Sequence, residues 1–309
     1  MPPVIEVSHL TKQFKDITAV NDLSFTVRKG DVYGFLGQNG AGKSTTIRML
    51  LTLVESTSGT INIFNKNLNT NREEILSKIG AVIEKPDLYK FLTAYENLSQ
   101  FAKISGVSVP KSRIMEQLEM VDLAERADSK VKTFSQGMKQ RLGIAVALVH
   151  DPELIILDEP TNGLDPQGIA DMRNLITGLS KTYGKTVLIS SHLLNEIELI
   201  ANRILIIDKG KKIIEGTADE LLDPAKTIVE IEVTDVAGAI SKLAQSNWNN
   251  FLHTTGEILQ FRISRDQVPV LISDLVQREI DIISVQPRHS LENYFLSLTS
   301  GTHVEVAAI

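Results

Sequence analysis

Four residues close to the amino terminus have the types and spacing of a phosphate-binding turn. Residues 37–44 read GQNGAGKS, in which Gly37, Gly42, Lys43 and Ser44 fit the pattern G-x-x-x-x-G-K-[ST]. Glycines let backbone N–H groups curl around phosphate oxygens, and a following helix adds the positive end of its dipole. The lysine would reach the β- and γ-phosphates of a nucleotide, and the serine hydroxyl would bind Mg²⁺. The other loop residues expected to contact the nucleotide are Gln38, Asn39, Gly40, Ala41 and Thr45.

Two carboxylates end a run of apolar residues near the middle of the chain. Residues 154–160 read LIILDEP, so Asp158 and Glu159 follow a segment with the character of a buried strand. A rigid strand delivers both side chains to one place, where Asp158 would hold Mg²⁺ through water and Glu159 would polarise an attacking water. A solvated acidic pair is the alternative. The turn PTNGLDP, which follows and adds Asp165, disfavours that alternative.

A histidine follows another apolar segment, TVLISS at 186–191. The carboxyl end of a strand in an α/β sheet faces the usual ligand crevice, so His192 could contact a γ-phosphate there as a sensor. A single histidine is more often structural, and only the position of this one in the chain favours the functional interpretation.

The segments around these residues predict a mainly parallel α/β core. The apolar run 32–36 indicates a buried strand that enters the phosphate loop, and 43–54 indicates the helix that leaves it. These flanks disfavour a glycine-rich turn that binds nothing. Strands alternate with helices further on, and 95–126 is mostly helical in pattern with a break near SGVSVP. Antiparallel pieces are expected at the beginning and in a hairpin that turns at Lys209–Gly210. The predicted strands of the antiparallel pieces are 4–10, 22–28 and the two strands within 203–216. The segment 57–64 adds a hairpin signal and another strand.

A second, smaller domain is predicted after a boundary near Asp223–Pro224. The first domain would cover 1–222 with a helical subdomain at about 88–150, and a ferredoxin-like α+β domain would cover 225–300. The predicted strands and helices of this second domain follow the order βαββαβ. The predicted elements are a strand at 227–233, a helix at 236–246, a hairpin across Gly256, a helix at 266–279, a strand at 281–286 and a final helix in 290–299, before a tail at 301–309.

Composition narrows the classes of protein to consider. The chain has 309 residues and a net charge of −6, which disfavours a dedicated nucleic-acid binder. It has no cysteine, so disulfide and thiolate chemistry are excluded. We see neither a signal peptide nor an apolar stretch long enough to span a bilayer. If the protein works at a membrane, another chain must provide the spanning helices.

The ordered set of motifs resembles the ATP-binding subunit of ATP-binding cassette (ABC) transporters over about residues 4–220. Besides the phosphate loop and Asp158–Glu159, the set contains the signature FSQGMKQR (134–141), NGLDP (162–166) and the histidine of SSH (190–192). The resemblance implies a cassette of the P-loop NTPase class, with an antiparallel β-subdomain and a helical subdomain. It also implies that two cassettes enclose two molecules of ATP head to tail.

The resemblance assigns further residues to the nucleotide. Ser135 and Gly137, with Gln136 between them, would touch the γ-phosphate held by the other copy, which makes dimerisation depend on ATP. Gln136 departs from the glycine that is commonest at this position of the signature. Asp165 belongs to the loop after the Asp-Glu pair. Phe14 lies where family members place an aromatic ring on adenine, and a core phenylalanine is the alternative.

A second departure concerns Glu84 in the segment IGAVIEKPDLY (79–89). Family members usually have glutamine here, in contact with Mg²⁺ and the attacking water. Glutamate can still ligate magnesium, so Glu84 is expected to serve both as a metal ligand and near the catalytic centre. The segment resembles bacitracin- and lantibiotic-resistance exporters. A broader multidrug or polysaccharide export group is the alternative.

These residues leave three candidate functions. The first is an export motor at the cytoplasmic face of the membrane, in which ATP and Mg²⁺ close a homodimer and residues 84–103 bind a separate permease. The second is a soluble ABC ATPase that acts on DNA or ribosomes. The short span between Lys43 and Ser135 and the acidic charge disfavour it. The third is an ATP-dependent switch in a regulatory or mechanotransmission complex, which would use the same residues as the motor.

Overall fold

The structure is a computed structural model that describes residues 2–221, 227–255 and 258–288. It divides into two compact units, Met1–Thr217 and Ala218–Ile309. The predicted boundary at Asp223–Pro224, Gly256, the final helix in 290–299 and the tail 301–309 lie outside the described residues.

The first unit contains ten strands and seven helices among its described residues. Its strands are β1 (Pro3–Phe14), β2 (Ile17–Arg28), β3 (Val32–Leu36), β4 (Ser58–Ile63), β5 (Lys66–Asn67), β6 (Ile79–Val82), β7 (Leu154–Asp158), β8 (Thr186–Ser191), β9 (Arg203–Asp208) and β10 (Lys211–Thr217). Its helices are α1 (Lys43–Leu50), α2 (Arg72–Leu76), α3 (Ala94–Ile104), α4 (Lys111–Met120), α5 (Gln136–Ala147), α6 (Pro166–Lys181) and α7 (Leu194–Glu198).

In the central sheet, the strands that lead into the predicted site residues lie side by side. Its order is β10-β9-β3-β8-β7-β6, and all neighbours are parallel except β10 against β9. Every residue of β3, β7 and β8 is buried, as expected for strands covered on both faces. Because these three are adjacent and parallel, their carboxyl ends meet at one edge.

A four-stranded antiparallel sheet forms the other layer of the first unit. Its order is β2-β1-β4-β5, and the long β1–β2 pair has several shifts of register. Its apolar side chains join those of the central sheet in one core. The predicted antiparallel pieces at the beginning of the chain and in the hairpin at Lys209–Gly210 are confirmed.

The helical subdomain has its own core among α3, α4 and α5. α3 begins with a capping box, in which the hydroxyl of Thr93 accepts from the Glu96 backbone N–H and the Glu96 carboxylate accepts from the Thr93 N–H. The predicted break between the helices lies at residues 105–110. The helix predicted at 43–54 is too long, because α1 ends at Leu50 and Thr52 takes a positive φ of 56°.

The second unit is an antiparallel sheet with two main helices. Its elements are α8 (Ala218–Leu221), β11 (Thr227–Val233), α9 (Val236–Leu243), β12 (Leu252–Thr255), β13 (Ile258–Ile263), α10 (Val268–Gln277) and β14 (Ile282–Arg288). The strand order β12-β13-β11-β14 is that of a ferredoxin-like fold. Within 227–255 and 258–288 the predicted element types are confirmed, and both helices are shorter than predicted.

Candidate active site

The phosphate loop is the turn between β3 and α1. Gly42 stands at the start of α1 with φ 106°, a conformation that strongly favours glycine. The first backbone N–H groups of a helix have no intrahelical acceptor, so those of residues 43–45 are available to an anion. The Lys43 side chain is buried, and its Nζ donates to the carbonyl of Gly37 at 2.7 Å and to that of Gln38 at 3.3 Å. Residues 38–40, by contrast, are exposed at the mouth of the loop.

Two glycines from distant parts of the chain close around one carbonyl beside this loop. A Cβ on Gly42 would stand 2.5 Å from the carbonyl oxygen of Ala19, and a Cβ on Gly210 would stand 2.7 Å from the same atom. The Gly210 N–H also donates to the Ala41 carbonyl at 2.9 Å. The β9–β10 turn and β2 therefore support the phosphate loop directly.

Asp158 lies at the end of β7 and is almost fully buried. Its Oδ1 accepts from the hydroxyl of Ser190 at 2.5 Å and from that of Ser44 at 3.4 Å. Its Oδ2 is buried with no hydrogen-bond partner. A buried carboxylate oxygen without a partner, beside a serine hydroxyl, fits the ligand set of a magnesium ion.

Glu159 stands between two basic side chains. Its Oε1 is 3.3 Å from Lys43 Nζ, and its Oε2 is 2.7 Å from His192 Nδ1. The residue has a positive φ of 51°, which is unusual for a glutamate and turns its side chain away from the path of the strand. The structure therefore brings Lys43, Glu159 and His192 together.

The structure adds Ser190 to the candidate site, a residue to which the sequence assigned no role. Its hydroxyl donates to Asp158 and accepts from the backbone N–H of Glu159 at 3.1 Å, so one side chain positions both carboxylate residues. The available signal was a polar residue inside the buried apolar strand 186–191.

The signature residues lie on an exposed surface. Ser135 caps α5, and its hydroxyl accepts from the Met138 backbone N–H at 3.2 Å. Asp165 caps α6 in the same way. The two turns face a surface cavity of about 360 Å³, and none of the described residues lining it belongs to the phosphate loop. Gln136, the unusual signature residue, joins the turns by donating to the Asn162 carbonyl at 3.1 Å.

Phe14 and Glu84 are exposed side chains. Phe14 ends β1 and is 45% exposed, so it is not a core side chain; Lys12 Nζ lies 4.8 Å from its ring centroid. Glu84 follows β6 with a positive φ of 55°. Its carboxylate pairs with Arg48 of α1 at 2.6 Å, and both side chains are largely exposed.

The comparisons with known proteins agree with this geometry. The sequence profile described as ABC transporter matches residues 20–162. An uncharacterized ABC transporter ATP-binding protein of Bacillus subtilis, YhcH, is 42% identical to the chain, and the match covers 99% of each protein. The chain belongs to the ABC transporter ATP-binding family. Another relative of this ABC protein is the bacitracin transport ATP-binding protein BcrA of Bacillus licheniformis, 44% identical over 97% of this chain and 99% of BcrA.

Solved cassettes have the same fold as the first unit. The structure titled as cbiO1 from Clostridium perfringens has a TM-score of 0.66 and 26% identity, covering 72% of this chain and 91% of cbiO1. The cassette MJ0796, solved as a dimer bound to ADP and Pi, has a TM-score of 0.63 and 28% identity, covering 69% of this chain and 98% of its own.

This ABC protein is an ATP-binding and ATP-hydrolysing subunit of a transporter. Family membership supports that statement, together with the meeting of the phosphate loop, the two carboxylates and the histidine at one edge of the sheet. None of the helices within the described residues combines the length and apolar character needed to cross a bilayer.

Proposed function

We propose that this protein powers export through a separate membrane permease, as a peripheral subunit at the cytoplasmic face of the membrane. The observation that carries the proposal is the exposure of the signature turn, which serves no site of its own chain among the described residues. A second copy is the natural occupant, because its phosphate loop would bring an ATP γ-phosphate to Ser135 and Gly137. ATP would thus hold two copies together, and hydrolysis would release them.

Mg²⁺ would be bound together with ATP. Within the described ranges, no three His, Cys, Asp or Glu side chains cluster as they would in an all-protein metal cage. Magnesium needs no such cage, because nucleotide phosphates and water complete its ligands. Ser44 and Asp158 would hold the ion, which when bound neutralises charge on the phosphates. Glu84 would bind the magnesium ion only after its ion pair with Arg48 is broken.

Glu159 would act as the base that polarises the attacking water. Its two oxygens face Lys43 and His192, so the carboxylate is held in a fixed orientation at the end of β7. ATP would draw Lys43 towards its phosphates and leave Glu159 to the water, while His192 keeps the carboxylate oriented. Phe14, exposed at the tip of β1, would stack on the adenine ring.

Residues 84–103 would bind a cytoplasmic segment of the permease. Phe91 is 78% exposed and Tyr89 is 49% exposed, and the two lie two residues apart in the loop before α3. Exposed aromatic side chains this close together are typical anchors of a protein interface.

The relatives support export more than a regulatory switch. They include the BcrA proteins and the lantibiotic transport ATP-binding protein SrtF of Streptococcus pyogenes, which is 45% identical over 70% of this chain and 92% of its own. Like them, this chain would work in the transport of an antibiotic. The permease would determine which one.

The decisive experiment measures the mass of the Glu159→Gln protein by light scattering, with and without ATP and Mg²⁺. We expect a monomer without nucleotide and a dimer with it, because the amide leaves ATP bound but cannot act as a base. ATPase activity should fall by at least about 10²-fold.

Glu153→Gln is the matched control, since Glu153 is an exposed carboxylate whose nearest cation is Lys78 at 3.5 Å. It should hydrolyse ATP normally. A Glu159→Gln protein that turns over ATP like this control would refute the role of the base. Purification of the tagged wild-type protein with native membranes should also recover a polytopic membrane protein, and recovery of none would count against the transport function.

A further inference from the structure

The segment 89–93, called here the aromatic segment, presents two exposed rings immediately before α3. Phe91 makes no ring contact among the described residues, whereas the ring of Tyr89 lies 5.7 Å from that of Phe101. Side chains on such a loop keep a defined orientation only if the backbone beneath them is fixed.

One buried side chain fixes that backbone. Asn97 of α3 has no exposed surface. Its Oδ1 accepts from the Tyr89 N–H at 2.8 Å, and its Nδ2 donates to the carbonyl of Tyr89 at 3.1 Å and to that of Thr93 at 2.8 Å. Both polar atoms of the amide are therefore used on the two ends of the aromatic segment.

The other side of the aromatic segment is bonded to the residues that lead into the signature. The N–H of Val131 donates to the carbonyl of Leu92 at 3.0 Å, and that of Lys132 to the carbonyl of Lys90 at 2.8 Å. A bridge between residues 93 and 130 continues this pairing. Ser135 follows Lys132 by only three residues, so backbone hydrogen bonds connect the aromatic segment to the residues that lead into the signature turn.

We propose that Asn97 is a positioning residue that holds the aromatic segment ready for the permease and couples permease binding to Ser135. The inference rests on the proposed function, because the aromatic segment is part of the permease-binding surface proposed above. The path runs from the exposed rings through the backbone at 89–93 to residues 130–132 and on to the signature. A permease that shifts the rings would in this way change how Ser135 meets the ATP of the second copy.

Coupling between two sites is reciprocal, which allows a test without the permease. If ATP held between two copies fixes Ser135, the hydrogen bonds between residues 90–93 and 130–132 must slow hydrogen exchange in the backbone of the aromatic segment. The test measures hydrogen exchange by mass spectrometry on peptides covering 86–93 and 128–134, with and without Mg-ATP. The protein carries Glu159→Gln so that ATP persists, and light scattering confirms the dimer.

Asn97→Leu removes all three hydrogen bonds at nearly constant volume. Gln117→Leu is the matched control, since Gln117 is another buried amide of the helical subdomain and donates to the carbonyl of Leu148 at 3.1 Å. Asn97→Ser is the milder variant if the leucine protein does not fold, because it adds neither bulk nor charge and its hydroxyl can still donate to the carbonyl of Thr93, four residues earlier.

We expect ATP to slow exchange in both peptides of the parent protein at least tenfold. Asn97→Leu should speed their exchange at least tenfold without nucleotide and abolish the ATP effect at 86–93. Asn97→Ser should lie in between, and Gln117→Leu should behave like the parent. Equal exchange in the Asn97 and Gln117 variants would overturn the positioning role. A dimer in which ATP protects 128–134 but leaves 86–93 unchanged would overturn the coupling. Failure of the parent to dimerise would instead contradict the proposed function.

Discussion

Ser190→Ala tests how the two catalytic carboxylates are held. The substitution removes one hydroxyl that donates to the buried Asp158 carboxylate at 2.5 Å and accepts from the Glu159 N–H at 3.1 Å. A hydrogen bond to a charged group contributes about 1.5–3 kcal/mol, and a neutral one about 0.5–1.5 kcal/mol. The Glu159 N–H also donates to the backbone carbonyl of Ser190 at 3.2 Å and keeps that acceptor in the variant. We therefore count only the bond to Asp158 and expect the free energy of unfolding to fall by about 1.5–3 kcal/mol.

The same change should weaken magnesium binding. Without Ser190, only the longer bond from Ser44, at 3.4 Å, still orients Asp158. Loss of a residue that orients a metal ligand typically costs about 10–100-fold in metal affinity or activity. The Mg²⁺ concentration for half-maximal ATPase activity should rise by that factor.

The assays must separate the two units of the chain. The only tryptophan, Trp248, belongs to the second unit, so its fluorescence reports the unfolding of that unit alone. Urea titrations followed by far-ultraviolet circular dichroism should show an earlier transition in Ser190→Ala, while the fluorescence transition stays at the wild-type midpoint.

Ser191→Ala is the control on the same strand. Ser191 is equally buried, but its hydroxyl bonds the backbone of Leu193 and neither carboxylate residue. The reasoning would be refuted if Ser190→Ala and Ser191→Ala showed the same unfolding free energy and the same magnesium dependence.

Three further substitutions test other parts of the molecule. Ser135→Arg in the Glu159→Gln background should prevent the ATP-dependent dimer in light scattering, because it places bulk and charge where the second copy must approach; an unchanged dimer would contradict the composite site. Glu84→Gln removes an exposed ion pair with Arg48, so the free energy of unfolding should change by less than about 1 kcal/mol. If ATPase activity and coupling to the permease are also unchanged, glutamate in place of the usual glutamine has no functional effect. The Lys185 hydrogen bond lowers the pKa of the Asp151 carboxyl from its ordinary 3.8, so this pair stabilises the protein above that pH and ceases to do so as the pH falls. Denaturation of Lys185→Ala should therefore show a deficit near pH 7 that shrinks towards pH 3, and an equal deficit at both would contradict the linkage.

The phosphate loop could be predicted from the sequence because its residues are close together in the chain. Gly42 and Lys43 lie within one turn, and a strand before and a helix after that turn follow from apolar periodicity. The meeting of Glu159 and His192 could also be predicted, because adjacent parallel strands place their carboxyl ends at one edge.

Contacts that depend on register could not be predicted. Ser190 reaches Asp158 because β8 lies beside β7 with those two residues opposite each other, and apolar pattern does not specify which strands are neighbours. The hold of Asn97 on the aromatic segment depends on the packing of a loop against its own helix. The overlong prediction for α1 has the same origin, because the apolar residues after Leu50 continue the helical pattern while the backbone turns away.

The shared contact of Gly42 and Gly210 with the carbonyl of Ala19 has a consequence for the tolerance of this gene to change. Position 210 belongs to none of the nucleotide motifs, yet any side chain there would displace the backbone on which the phosphate loop lies. Gly178, by contrast, sits in a helix where an added methyl group would meet nothing within 4 Å. Across natural variants, glycine at position 210 should be substituted as rarely as glycine at position 42, while position 178 should carry a range of residues.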